Sequence, residues 1–202
     1  LVLLIPSFLL LSEIFGQQRS EFVRVALVQP YIPQQVKWDS SKGPGILEVL
    51  DTLTVGAAIS QPDLILWPEA VTPWAVRGDD SARRFVEDLS QRAQTPLLLG
   101  SIAIENHGTP AEAWFNGAFV VTPDSGLQPG YYAKRRLVPF GEFVPLRPVL
   151  GWLRKFVEIG DDFQAGDDAH PLVISLSRGP IVVGPLICYE DIYPQLARSS
   201  AL

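Results

Sequence analysis

Residues 44–69 read PGILEVLDTLTVGAAISQPDLILWPE, and the change of pattern inside that run sets the fold class. Ile46, Leu50, Leu53 and Ala57 fall at i, i+4, i+7 and i+11, which predicts a helix over 44–60 with one apolar stripe. Pro62 then breaks the helical period, and DLILWPE (63–69) is an apolar run of the length of a buried strand. A helix that hands the chain to a buried strand is the repeating step of an α/β domain.

The alternation extends outward from there. Upstream, VRVALVQ (23–29) is short, β-branched and bounded by Pro30, and reads as a strand. Downstream, SARRFVEDLSQRAQ (81–94) is a polar helix with Phe85, Leu89 and Ala93 inward. PLLLGSIAI (96–104) and NGAFVVT (116–122) are strands, the second leading into the turn Thr122-Pro-Asp-Ser-Gly126. LVISLS (172–177) and IVVGPLICY (181–189) are two more strands around the turn Arg178-Gly-Pro180. Helices alternate with strands early and hairpin-like strands come later, so one mixed-sheet α/β sandwich is expected over 23–202.

Composition narrows the function classes. A chain of 202 residues, 47% hydrophobic and 19% charged, can bury a real core and is not a disordered tail. The net charge of −6 and the lack of a basic block argue against a nucleic-acid partner. A single cysteine excludes an intrachain disulfide and a Cys-based zinc site. His107 and His170 are too few for a histidine-rich cluster, so no metal and no cofactor are expected. Residues 1–16, LVLLIPSFLLLSEIFG, are apolar, but a spanning helix needs roughly 20 such residues, and Pro6 and Glu13 interrupt this run. A signal peptide, a buried core helix and the trailing end of a membrane helix compete for it. With a chain that starts at Leu1 and contains no methionine, a fragment is expected, with 1–16 the end of a truncated membrane helix and 17–22 a linker.

Three segments carry chemistry, each with one reactive group after an apolar strand: Leu66-Trp-Pro-Glu-Ala70, Tyr132-Ala-Lys-Arg-Arg-Leu-Val-Pro-Phe-Gly-Glu142, and Gly184-Pro-Leu-Ile-Cys-Tyr-Glu-Asp191. Cys188 is either a small buried core residue or a strand-end thiol set up for nucleophilic attack. Glu69 is either a strand-end surface charge or a general base that takes the thiol proton and passes it to a leaving group. Lys134 is either a solvated lysine, as Arg135 and Arg136 favour, or a fixed cation beside a developing oxyanion. Spacing alone leaves these alternatives open.

A Glu, a Lys and a Cys in this order, in these contexts, resemble the carbon–nitrogen hydrolase (nitrilase) superfamily. The WPE, K-x-x-L-V-P-F-G-E and C-Y-E segments, with Ile32-Pro-Gln-Gln-Val-Lys-Trp38, resemble one branch of it, the apolipoprotein N-acyltransferases. The match runs from about Val23 to Ala197. It implies an αββα sandwich, here incomplete at its C-terminus. It implies Glu69 as base, Lys134 as oxyanion stabiliser and Cys188 as nucleophile. Glu142 would orient Lys134 or the base, and Trp38, Tyr189 and Glu190 would stand at or near the site.

The activity implied is transfer of an acyl chain from a phospholipid, through a cysteine thioester, to the N-terminal amine of a diacylglyceryl-cysteine apolipoprotein. The expected setting is the bacterial inner membrane, with the catalytic domain on its periplasmic or outer face. An amidase that hydrolyses a small carbon–nitrogen substrate shares the first half-reaction. A non-catalytic scaffold is the third reading, and the intact Glu, Lys and Cys argue against it. In Pro145–Gly160, Leu146, Val149, Leu150, Leu153, Phe156 and Val157 recur at helical spacing beside Trp152, as either a core-packing helix or an interfacial lid.

Overall fold

The computed structural model describes residues 22–37, 39–143 and 163–200. The apolar run 1–16, Trp38 and the segment Pro145–Gly160 lie outside them. Among the described residues no helix is long and apolar enough to cross a membrane.

The chain begins with strand β1 (Val25–Leu27), a short helix α1 (Gln34–Lys37) and a 3-10 turn (Ser40–Lys42). Helix α2 (Gly43–Ala58), strand β2 (Leu64–Leu66), helix α3 (Asp80–Ala93) and strands β3 (Leu97–Glu105), β4 (Ala113–Thr122) and β5 (Gly126–Ala133) follow. The strands form one five-stranded sheet in the order β1-β2-β3-β4-β5. β1, β2 and β3 pair in parallel, with Ala26 opposite Ile65 and Ile65 opposite Leu97. Parallel neighbours need a crossover, and α2 and α3 supply the two. From β3 onward the pairing is antiparallel. Strands β6 (Leu172–Leu176) and β7 (Gly179–Val183) form a separate antiparallel hairpin, followed by a 3-10 helix (Cys188–Ile192) and helix α4 (Pro194–Ser200).

Alternation along the strands divides the core in two. Ile65, Leu97, Leu99, Phe119 and Val121 face the helices and pack with Ile46, Leu50, Val86 and Leu89. Leu64, Leu98, Ala118 and Val120 face the other way and pack with Leu172, Ile174 and Ile187. The layers therefore run helices, sheet, second sheet, in agreement with the expected α/β sandwich.

Several details differ from the sequence-based expectation. The buried row of α2 is Gly43, Ile46, Leu50 and Thr54, and Leu53 faces solvent. Thr54 replaces it because its hydroxyl accepts the buried Trp67 Nε1–H at 3.0 Å. In α3, Val86 takes the deep position and Phe85 only flanks the core. The helix starts as its sequence dictates, with the Asp79 carboxylate accepting the amides of Ser81 and Ala82. Strand β5 has no counterpart in the hydrophobic pattern. β7 stops at Val183 rather than running to Tyr189, and Gly184 begins a close approach in which a Cβ would lie 2.5 Å from the Ser200 carbonyl oxygen.

Candidate active site

Glu69 sits on the turn that leaves β2, held against β3. Val71 N donates to the Gly100 carbonyl at 3.1 Å. A Cβ on Gly100 would stand 2.6 Å from both the Glu69 Cα and the Pro68 carbonyl oxygen, so only glycine lets the turn pack this close. Lys134 follows β5, its amide donating to the Asn116 carbonyl at 2.8 Å across the sheet. Glu142 closes the Val138–Glu142 turn, where its Oε2 accepts Val138 N–H at 2.8 Å.

These side chains converge. Lys134 Nζ donates to Glu142 Oε1 at 2.8 Å and to Glu69 Oε1 at 3.1 Å. The Lys134 side chain is 1% exposed, Glu142 14% and Glu69 33%. Lys134 is thus buried, not the solvated lysine its arginine neighbours favour. Burial opposes its charge, but the bond to Glu142 and the two carboxylate charges outweigh that and hold the ammonium above its ordinary value.

Two further side chains that the sequence reading did not single out join the cluster. Asn116, buried on β4, donates Nδ2–H to Glu69 Oε1 at 2.7 Å and to Glu142 Oε1 at 3.1 Å. Lys37 reaches from α1 to donate to the Glu69 backbone carbonyl at 2.9 Å. Burial pulls the Lys37 ammonium below its ordinary value, and the Glu69 charge partly opposes that. The sequence held a signal for each. Asn116 is a polar residue on an otherwise apolar strand, and Lys37 lies inside the Ile32–Trp38 segment already set apart.

The two glutamates end up in different states. Both oxygens of Glu142 are occupied. Glu69 uses only Oε1, and its Oε2 has no hydrogen-bond partner among the described residues. A carboxylate with one oxygen anchored and one free is suited to moving a proton.

Cys188 is exposed and opens the 3-10 helix. Its Sγ has no hydrogen bond to Glu69, Lys134 or any other described residue. Its backbone is nevertheless tied to the lysine segment by Glu190, which is fully buried. Glu190 Oε1 accepts Arg135 N–H at 2.7 Å and Arg136 N–H at 3.1 Å. Its Oε2 accepts the Tyr132 hydroxyl at 2.8 Å and Ile187 N–H at 2.9 Å. One carboxylate therefore joins the residue after Lys134 to the residue before Cys188. Burial, opposed by the Arg135 guanidinium and aided by the Glu190 carboxylate, pushes the Tyr132 phenol up to about 12, so it remains a donor.

Tyr189 is partly exposed and packs edge-on to Tyr193, 5.4 Å between ring centres, while the Arg136 guanidinium lies 5.8 Å from the centre of the Tyr193 ring. Beside them a cavity of about 470 Å³ opens between Arg136, Leu137, Phe143, Phe163, Tyr189 and Tyr193. Ala70, Phe140 and Cys188, one in each of the three segments, have positive φ of 42°, 63° and 51°. Such backbone is disfavoured for residues with a side chain, and Tyr31, Gln61, Gln94, Asn106 and His170 share it elsewhere, so it does not by itself mark the site.

The carbon–nitrogen hydrolase family model matches residues 24–202. The chain is 32% identical over 177 residues to an apolipoprotein N-acyltransferase of Geobacter metallireducens, covering 87% of this chain and 33% of that protein. It is 34% identical over 183 residues to an apolipoprotein N-acyltransferase of Azotobacter vinelandii, covering 89% and 33%. The chain thus spans about a third of the length of the curated relatives it matches. Among solved structures, it superposes on a carbon–nitrogen hydrolase of Helicobacter pylori with a TM-score of 0.57 at 18% identity, covering 87% of this chain and 55% of that one. An amidase of Nesterenkonia sp. superposes with a TM-score of 0.59 at 18% identity, covering 91% and 62%. These two likenesses carry the fold alone.

Proposed function

The chain belongs to the carbon–nitrogen hydrolase family, and from that premise we propose that it supplies the catalytic centre of a lipoprotein N-acyltransferase of the bacterial inner membrane, acting on the periplasmic or outer face. Cys188 Sγ attacks the carbonyl carbon of a phospholipid acyl ester. Glu69 Oε2 takes the thiol proton and returns it to the departing lysophospholipid alkoxide, leaving an acyl thioester on Cys188. The α-amine of a diacylglyceryl-cysteine lipoprotein then attacks the thioester. Glu69 takes the amine proton and passes it to the leaving sulfur, which gives the amide and restores the thiol. Lys134 stabilises the oxyanion of both tetrahedral intermediates, and Glu142 keeps its ammonium in place.

The observation that carries this reading is Lys134, buried and charged between a fully bonded Glu142 and a half-bonded Glu69. That arrangement is costly to build and pointless on a solvated surface. The cavity beside Tyr189 adds an apolar wall for an acyl chain and an arginine suited to a phosphate. The choice of a lipoprotein amine as acceptor rests on the likeness to the apolipoprotein N-acyltransferases of Geobacter metallireducens and Azotobacter vinelandii, and the lipid donor is part of the proposal.

The acceptor is tested by a chase. The full-length protein in bilayers is loaded from a labelled phospholipid and then given a diacylglyceryl-cysteine peptide. The expected outcome is label on the peptide amine, with little free fatty acid. Rapid release of fatty acid with no labelled peptide, together with turnover of simple amides, would assign the amidase reading instead.

A further inference from the structure

We propose that Asn116 is a positioning residue that decides which oxygen of Glu69 performs proton transfer. The inference rests on the acyl-transfer reading only in taking Glu69 as the base for Cys188.

Four groups form a closed ring in which donors and acceptors alternate. Lys134 Nζ and Asn116 Nδ2 are the donors, and Glu69 Oε1 and Glu142 Oε1 are the acceptors. Both hydrogens of the Asn116 amide are used, one on each glutamate. The orientation of that amide is fixed by chemistry, because the opposite one would set its carbonyl oxygen against two carboxylates. The consequence appears at its other end: Asn116 Oδ1 is buried without a donor. Buried polar atoms nearly always find partners, so an orphaned one calls for a reason. Presenting Nδ2 to both carboxylates is that reason.

The ring also sets the asymmetry between the glutamates. Asn116 and Lys134 together engage Glu69 Oε1, which leaves Oε2 for the thiol proton. Without the amide, one ammonium alone would hold two converging carboxylates. Glu69 would then turn more freely between its two oxygens and accept a proton more readily, since a carboxylate that loses a donor favours its neutral form.

The test uses Asn116→Leu and Asn116→Asp in the full-length protein, with folding checked by thermal melting. Two rates are followed against pH: alkylation of Cys188 by iodoacetamide, read by mass spectrometry of its peptide, and acyl-thioester formation from phospholipid. For Asn116→Leu the expected result is a folded protein, thioester formation reduced about 10- to 100-fold, and an acid limb of alkylation moved to higher pH. Asn116→Asp adds a third carboxylate and is expected to move that limb further in the same direction. A folded Asn116→Leu with the wild-type acid limb and thioester formation within twofold of wild type overturns the proposal. If Asn116→Leu does not fold, an unshifted limb in Asn116→Asp overturns it equally. Alkylation needs no acyl donor. A wild-type protein that is alkylated normally but forms no thioester therefore counts against the acyl-transfer reading, while the alkylation profiles still decide the part of Asn116.

Discussion

Lys134 carries one positive charge between two carboxylates in a place almost closed to water. Removing it leaves Glu69 and Glu142 facing each other with only the Asn116 amide between them. Lys134→Ala is therefore expected to cost about 3 kcal/mol of stability, as the loss of one partner from a buried pair does, and about 10²–10³-fold in acylation, as the loss of an oxyanion donor does. Denaturant unfolding and the rate of thioester formation measure the two separately. A surface lysine would show neither loss. Glu142→Gln keeps the shape but removes one charge that holds the ammonium. It is expected to lower acylation less than Glu69→Gln, because, of the two carboxylates, only Glu69 has an oxygen without a partner among the described residues. Equal losses in both variants would remove the distinction between base and orienting group.

Two strands and one carboxylate bring these residues together. Gly100 on β3 lets the Glu69 turn lie against the sheet, and a Cβ there would meet the backbone of Pro68, Glu69 and Ala70. Gly100→Ala is expected to destabilise the protein by about 1–3 kcal/mol through overpacking and to depress acylation with it. Gly130→Ala on β5, where a Cβ meets nothing within 4 Å, should leave both within error. Glu190→Gln replaces an acceptor of four hydrogen bonds with an amide that must turn its own N–H toward one pair of donors. It is expected to lower the melting temperature and acylation together, since the clamp joins the Lys134 and Cys188 segments. The elements with strong periods, α2, α3 and strands β2 to β4, were legible in the sequence. β5 was not, because Gly126, Pro129 and Gly130 read as breakers. It holds as a strand because it is the sheet edge, where a residue without an amide hydrogen is tolerated. Glu69, Lys134 and Glu142 were legible as a set only through family resemblance. Asn116 and Lys37 carried a signal, but their partners show only once β4 is paired in the sheet and α1 is packed over the Glu69 turn.

At the scale of the whole molecule, the buried ammonium links stability to pH. Its proton is held more tightly in the folded state than in the unfolded chain. The stabilisation it gives is complete below the ordinary lysine range, about pH 10, and is lost as pH rises through the raised value. Melting temperatures of wild type and Lys134→Ala should therefore differ by a constant amount from pH 7 to 9 and converge in stronger alkali. A gap that closed already below pH 8 would contradict the buried ion pair. If Cys188, Glu69 and Lys134 act as one acyl-transfer centre, the acyl-enzyme intermediate can be trapped. The full-length protein in bilayers is given a phospholipid with a labelled acyl chain, quenched in acid, digested and examined by mass spectrometry. The expected result is an acyl group on the Cys188 peptide that hydroxylamine removes, and none in Cys188→Ala or Glu69→Gln. Label that never leaves the lipid, or that appears on another residue while Cys188→Ala turns over normally, would contradict it.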